Sequence, residues 1–205
     1  MKRVVIAASA LVAVAALAPV TPVQAQAEKW DIDAVHSQAT FTITHMMVSR
    51  VPGRFSQIGG TIMYDAKDVT KSSVEVTIPA TSINTDNQKR DDHLRSADFF
   101  DVANHPNVTF KSTKVMKGSA KDKFQIEGDL TMRGVTKRVV LDAEFLGSGA
   151  VSMGGQGAKT VAGFDATTKI NRKDFGINWN KALDQGGAVL GDDVNIAIHI
   201  EAIKK

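Results

Sequence analysis

The stretch ATFTIT at residues 39–44 decides the fold class, because apolar residues alternate strictly with threonines along it. A second stretch, SVEVTI at residues 73–78, places valines and an isoleucine on one face in the same way. Successive side chains of a β-strand point to opposite faces of the sheet, so a period of two predicts a half-buried strand. Both stretches are therefore predicted to be strands with one apolar face.

Working outward, the same alternation recurs in six further segments, around residues 62–64, 108–110, 124–126, 139–145, 164–170 and 194–200. Turn residues such as Arg133-Gly134 and Lys117-Gly118-Ser119 separate several of these segments, which favours antiparallel hairpins. No helix-length segment follows each strand in regular order, so a parallel sheet with helical crossovers is disfavoured. The sequence predicts an all-β chain of about eight antiparallel strands.

Such strands can pack as two sheets or close into a barrel. A closed barrel has no exposed sheet edges. With eight strands, its interior is just wide enough to be filled by side chains or to hold one small ligand. The pattern alone leaves both architectures open, and it also leaves open whether a barrel interior is filled or holds a ligand.

One segment departs from the strand pattern. Residues 86–101 read DNQKRDDHLRSADFFD, in which Asp86 suits a helix N-cap and Leu94 and Ala97 lie on one helical face. We predict one short helix that ends near Phe99-Phe100. The glycine-rich stretch from Gly147 to Gly157 is predicted to be a loop.

Residues 1–27 have the features of a secretory signal peptide. Lys2 and Arg3 precede an apolar run at 4–18, and Ala25-Gln26-Ala27 supplies the small residues of a cleavage site. The apolar run is shorter than the about 20 residues that a membrane-spanning helix needs. We therefore expect cleavage, a periplasmic location and a single mature domain at 28–205.

Removal of this segment changes the charge balance. The whole chain has 25 Lys plus Arg and 22 Asp plus Glu. Because Lys2 and Arg3 leave with the signal, the mature domain has 23 cations against 22 anions, a net charge of +1. Nucleic-acid binding needs clustered positive charge, so no nucleic-acid partner is expected.

Metal, cofactor and catalytic chemistry find no support in the motifs. The chain has no cysteine, which excludes disulfides and thiolate ligands. Its histidines show no paired ligand spacing, and no nucleophile elbow, phosphate loop or His-Glu-x-x-His helix is present. We expect a protein that is not an enzyme and has no metal site and no cofactor. The five histidines are His36, His45, His93, His105 and His199.

The densest charged cluster is RDDHLR at residues 90–95. One interpretation is a solvated helix face with a weak ion pair between Asp91 and Arg95. The other is that Arg90, His93 or Arg95 faces the barrel mouth and binds an anionic head group. An enzymatic alternative would pair His93 with a carboxylate such as Asp91 or Asp92 and act on an isoprenoid or a small ester.

Several motifs, taken in order, resemble the YceI-like family of polyisoprenoid-binding, lipocalin-like proteins across nearly all of residues 28–205. The matching stretches are Trp30-Asp31-Ile32-Asp33 with His36-Ser37, Phe41 with His45, Gly53-Arg54-Phe55, Ser82-Ile83-Asn84-Thr85, Arg90-Asp91-Asp92-His93-Leu94-Arg95, Phe99-Phe100-Asp101, Gly128-Asp129-Leu130-Thr131, Gly134-Val135-Thr136-Lys137 and Asn171-Arg172-Lys173-Asp174-Phe175-Gly176-Ile177.

The resemblance implies a single eight-stranded, antiparallel, lipocalin-like β-barrel with one short helix and a long apolar cavity. It implies no fixed catalytic set and no obligatory metal. The expected ligand is a polyisoprenoid or other long-chain lipid, such as a polyprenyl phosphate or a quinone-like molecule, held for transport, storage or sequestration. Transient contact with a membrane or with a membrane electron-transfer protein is a further expectation.

The alternation independently places a set of apolar side chains on one face. If that face encloses a cavity, an apolar ligand is required, since burial stabilises by about 0.8 kcal/mol per methylene group. The predicted cavity residues are Phe41, Ile43, Val76, Ile78, Phe110, Phe124, Ile126, Leu141, Phe145, Phe164, Ile196 and Ile198.

Overall fold

Eleven strands and one α-helix form across residues 27–152, 157–184 and 186–205, which are the residues that a computed structural model of the chain describes. Three short 3-10 turns accompany them, at Val69–Lys71, Ala80–Ser82 and Arg172–Phe175. In chain order the elements are β1 (Glu28–Ile32), β2 (Gln38–His45), β3 (Ser49–Phe55), β4 (Gly59–Tyr64), β5 (Ser73–Pro79), β6 (Ile83–Asn84), α1 (Gln88–Arg95), β7 (Asn107–Lys117), β8 (Lys123–Met132), β9 (Val135–Val151), β10 (Lys159–Asn171) and β11 (Leu190–Lys204).

Eight of the strands close into an antiparallel barrel. The order around the ring is β1, β4, β5, β7, β8, β9, β10 and β11, and β11 pairs back with β1. The predicted eight-stranded antiparallel barrel with one helix is therefore confirmed. Closure gives every ring strand two neighbours.

The membership of the ring differs from the prediction. The long strand β11 pairs with β1 through Ala202–Lys204 and with β2 along Leu190–His199, so β1 and β2 follow each other along one edge of β11. Strands β3 and β6 extend that branch outside the ring. The sequence pattern counted β2 among the eight and missed β1, because five residues show too little alternation to be recognised.

The hairpin between β8 and β9 turns through Arg133 and Gly134. Both have a positive φ, 50° and 73°, which is the geometry of a two-residue hairpin turn. The predicted tight turn is confirmed. The predicted loop beginning at Gly147 starts later, because β9 continues to Val151, while residues 153–156 lie outside the described part of the chain.

The helix is shorter than predicted at both ends. Asn87, rather than Asp86, is the N-cap, and its side chain accepts a hydrogen bond from the Arg90 amide. Asp86 instead has a positive φ of 57°. The chain leaves the helix at Ser96, where the backbone is extended, so Phe99 and Phe100 belong to the turns that follow α1.

Residues 1–26, which include almost all of the predicted signal peptide, lie outside the described part of the chain. Among the helices that are described, none has both the length and the apolar character needed to cross a bilayer.

Candidate functional site

An elongated apolar cavity of about 390 Å³ occupies the interior of the barrel. Ligand sites in proteins are typically concave, mostly apolar and of roughly 300–1,000 Å³. Eleven of the twelve predicted cavity residues lie in the wall of this cavity, and their ligand contacts remain a prediction. They are Phe41, Ile43, Val76, Ile78, Phe110, Phe124, Ile126, Leu141, Phe164, Ile196 and Ile198.

Phe145 is the predicted residue that the structure leaves out of the cavity wall. Its ring stacks on Tyr64, with centroids 4.9 Å apart, and also contacts Phe164 at 5.3 Å. Tyr64 and Phe164 themselves line the cavity. Phe145 therefore packs behind the two cavity-lining rings of an aromatic cluster near the end of β4.

Aromatic side chains also meet at the opposite end, where α1 covers the barrel. The His93 ring contacts Phe99 and Trp179 edge to face, with centroids 5.0 and 5.1 Å apart. All three residues line the cavity. The His93 side chain remains 41 % exposed, so this helix end forms a partly open mouth.

Arg90 lies in the cavity wall at this mouth. Its Nε donates to Thr85 Oγ1 at 2.7 Å, and its Nη2 donates to the Thr85 carbonyl at 2.8 Å. Thr85 in turn donates to the buried Asp91 carboxylate at 2.5 Å. This chain of hydrogen bonds holds the guanidinium at the rim, and none of the described hydrogen bonds uses its Nη1 group.

Arg95, in contrast, does not line the cavity. Its guanidinium donates to the carbonyls of Thr81 and Ile83, at 3.0 and 2.8 Å, and to Asp92 at 3.1 Å. The Asp91 to Arg95 ion pair considered from the sequence does not form, because Asp91 is taken up by Thr85. The contacts of Arg95 join α1 to the 3-10 turn before β6 and to the first residue of β6, which is a structural role.

The carboxylate beside His93 is Asp98, rather than Asp91 or Asp92. His93 Nε2 lies 2.8 Å from Asp98 Oδ2. Asp92 instead accepts hydrogen bonds from Gln88 and Arg95. The sequence placed the partner inside the helix, whereas the turn after α1 brings Asp98 back to the histidine.

Arg172, a buried arginine, is a residue of the site that the sequence analysis did not identify. Arg172 is 3 % exposed, lines the cavity, and donates to the carbonyls of Ile177, Trp179 and Gly191 and to the Asp192 carboxylate. Burial lowers the pKa of Arg172, and the charge of Asp192 opposes that shift. Arg172 thus holds the segment from Ile177 to Trp179 in place beside the cavity. The sequence feature that could have indicated this role is the motif at residues 171–177, which contains Arg172.

The part of the chain that the structure describes contains one group of three potential metal ligands, on the outside of the barrel. Asp33, His36 and Glu201 have ligand atoms within 4.8 Å of one another. The imidazole hydrogen-bonds Asp33 at 3.0 Å, which accounts for the grouping without an ion.

Comparison with known proteins bears on this barrel directly. The family profile described as the YceI-like domain matches residues 30–202. A UPF0312 protein of Vibrio parahaemolyticus is 37 % identical over 195 residues, which cover 93 % of this chain and 95 % of the relative.

The chain belongs to the YceI-like family.

Solved structures agree with the family assignment. The crystal structure of the Campylobacter jejuni YceI protein has a TM-score of 0.66 and 34 % identity, and the match covers 79 % of this chain and 90 % of that one. A protein from Saccharophagus degradans, described as a polyisoprenoid binding domain implicated in plant cell wall breakdown, has a TM-score of 0.61 at 15 % identity, with coverage of 86 % and 98 %. That second likeness shows the shared YceI-like fold.

Proposed function

We propose that this YceI-like protein binds a polyisoprenoid or a similar long apolar molecule in its barrel cavity, for transport, storage or sequestration. The observation that carries the proposal is the cavity of about 390 Å³ inside the barrel, with a wall formed mainly by aliphatic and aromatic side chains. An apolar chain gains free energy on entering such a space, at about 25 cal/mol for each Å² removed from water. Membership of the family supports the same ligand class, and so does the likeness to the Saccharophagus protein described as a polyisoprenoid binding domain.

The rim suggests how one end of the ligand is held. Arg90 and His93 are the polar side chains of α1 that reach the cavity wall, and they surround the mouth together with Trp179. A guanidinium can donate hydrogen bonds to a phosphate, whereas an imidazole and an indole can pack against an uncharged ring such as that of a quinone-like molecule. The proposed arrangement therefore places the chain in the barrel and the head group at α1.

Filling the cavity tests this proposal. Ala166 faces the cavity on β10, so Ala166→Phe places a ring in the ligand space, whereas Thr167→Phe on the opposite face of the same strand is the matched control. Calorimetric titration with farnesol should show binding to wild type and to Thr167→Phe, and loss of binding to Ala166→Phe. Equal affinity in all three proteins would overturn the proposal.

The periplasmic location belongs to the same proposal. Residues 1–27 carry the charge, apolar run and small residues of a signal peptide. Expression of the full chain in a Gram-negative host should give a periplasmic product that begins near residue 28, as read by N-terminal sequencing. A membrane-anchored product that retains Met1 would contradict the expected cleavage.

A second candidate is an enzyme that acts on an isoprenoid or a small ester. It rests on the hydrogen bond between His93 and Asp98 at the cavity mouth, since a carboxylate can orient an imidazole as a general base. Turnover of a prenyl ester that is lost in His93→Gln, while farnesol binding is kept, would favour the enzyme. Absence of turnover by the wild type would leave the binding function.

A further inference from the structure

The hairpin between β2 and β3 ends in three exposed apolar residues. Met46, Met47 and Val48 are 47 %, 63 % and 87 % exposed. Loop tips of this kind usually contain glycine, asparagine, aspartate or serine, whose small or polar side chains suit water and turns. We call residues 46–48 the apolar tip.

The backbone of the apolar tip does not explain its composition. Met46 and Met47 have φ values of 50° and 63°, in the left-handed region that glycine and asparagine adopt at the lowest cost. Methionine at both positions is unfavourable for the turn and unfavourable in water. A role for the side chains themselves is the remaining physical reason.

The apolar tip borders the helix end of the cavity. The Met46 amide donates to the Val189 carbonyl at 2.7 Å, and His45 pairs with Leu190. His45, Val189 and Leu190 all line the cavity. Leu190 is also hydrogen-bonded in both directions to Asn180, the residue after Trp179. The apolar tip is therefore linked by backbone contacts to the segment that carries Trp179 at the cavity mouth.

Size and charge restrict what the apolar tip can contact. Three side chains on a hairpin end are far less than the roughly 800 Å² per partner of a standard protein interface. Two exposed cations lie close to the apolar tip along the backbone. Arg50 follows Val48 by two residues, and the Lys181 carbonyl accepts a hydrogen bond from Val189, the residue hydrogen-bonded to Met46. A convex apolar point beside cations suits the boundary between headgroups and acyl chains in a bilayer.

We propose that the apolar tip docks the barrel on a lipid bilayer, so that an apolar molecule moves between the membrane and the cavity mouth without crossing water. This inference rests on the proposed function, because a lipid ligand is what would give docking its purpose. The flexible, polarisable methionines would enter the interfacial region, and Arg50 and Lys181 would face the headgroups.

Flotation with vesicles of phosphatidylethanolamine and phosphatidylglycerol tests the docking. The variant Met46→Asn, Met47→Gly, Val48→Ser removes the apolar side chains and also suits the left-handed backbone, so its thermal midpoint should be equal or higher. Vesicle binding should fall about ten-fold relative to wild type. Val35→Ser is the matched control, because Val35 is 84 % exposed in the loop at the other end of β2.

Wild type and Val35→Ser should float equally. Failure of the wild type to float, or undiminished flotation of the tip variant, would overturn the docking. So would a dimer of the wild type that the tip variant loses, since the occupant would then be a second copy. Farnesol titration in solution separates the two proposals. Equal farnesol affinity in wild type and tip variant supports docking as a separate step, whereas tip-dependent flotation without any farnesol binding would overturn only the proposed function.

Discussion

At the scale of single residues, two glycines make room for the rings in the cavity wall. A methyl group at residue 53 would overlap the ring of Phe41, and one at residue 128 would overlap the ring of Phe110. Each ring therefore lies against the backbone of the neighbouring strand while it forms part of the cavity wall. Both glycines belong to motifs that the sequence displays, but a strand pattern cannot tell which ring covers them.

Gly128→Ala should reduce both stability and ligand capacity. The added methyl group would lie 2.7 Å from the Lys111 carbonyl oxygen and would push Phe110 inward, with an expected loss of about 1–3 kcal/mol in unfolding free energy. Gly149→Ala is the control, because no atom lies within 4 Å of its added methyl group. Denaturant unfolding and farnesol titration measure the two effects, and equal behaviour of the two variants would contradict this role of Gly128.

Arg90 should distinguish a charged head group from a neutral one. Arg90→Gln is expected to weaken binding of farnesyl phosphate about ten-fold while leaving farnesol unchanged, since charge-assisted hydrogen bonds are the stronger ones. Lys89→Gln, on the adjacent exposed position of α1, should bind both ligands as wild type does. Titration of both ligands decides the point, and an equal effect on phosphate and alcohol would remove the head-group role.

At the scale of elements, Arg95 holds α1 to the barrel, whereas the sequence left it either as the partner of Asp91 in a surface ion pair or as a head-group ligand. Arg95→Ala should lower the unfolding free energy by about 1–3 kcal/mol, because it removes hydrogen bonds to the carbonyls of Thr81 and Ile83. Lys89→Ala is the surface control on the same helix. Thermal or denaturant unfolding measures the difference. An unfolding midpoint for Arg95→Ala equal to that of wild type would show that these hydrogen bonds do not stabilise the fold.

The junction between β1 and β2 should depend on pH through His36 and Asp33. The hydrogen bond to Asp33 raises the pKa of His36 above 6.5, and the same bond lowers the pKa of Asp33 below 3.8. The His36 contribution is complete below 6.5 and is lost as pH rises through its raised folded pKa. The Asp33 contribution is complete above 3.8 and is lost as pH falls through its lowered folded pKa.

His36→Gln should therefore lower the thermal midpoint more at about pH 5 than at about pH 9. At the lower pH the wild type has both charges, with Glu201 also 3.7 Å from the imidazole, whereas at the higher pH the histidine is neutral. Thermal melts of the two proteins across this range provide the measurement. A difference between the proteins that does not change with pH would refute the ion pair.

The element pattern also shows where sequence reasoning succeeds. Period-two alternation identified the long strands and their inward residues, because one face of each is packed or lines the cavity. It missed β3, whose Pro52 and Gly53 interrupt the pattern, and β6, which has two residues. Neither interpretation of Arg95 included its hydrogen bonds to the carbonyls of Thr81 and Ile83, because no sequence pattern predicts a bond to a distant backbone carbonyl.

At the scale of the whole molecule, β11 both closes the barrel and supports one side of the cavity mouth. Its C-terminal end closes the ring with β1, and its N-terminal half carries β2, the apolar tip and one side of the cavity mouth. The pattern predicted about eight antiparallel strands and the family resemblance implied that they form a barrel, whereas this shared edge depends on long-range pairing. The consequence is an apolar interior whose mouth at the α1 end is built from separate segments.

The central claim is that this interior holds a long apolar molecule. The most direct measurement is mass spectrometry of an organic extract from the purified protein, after it has been in contact with bacterial membranes. Wild type should yield a long-chain apolar compound in near-equimolar amount, and Ala166→Phe should yield little of it. A wild-type extract that contains no more of any apolar compound than the Ala166→Phe extract would contradict the account.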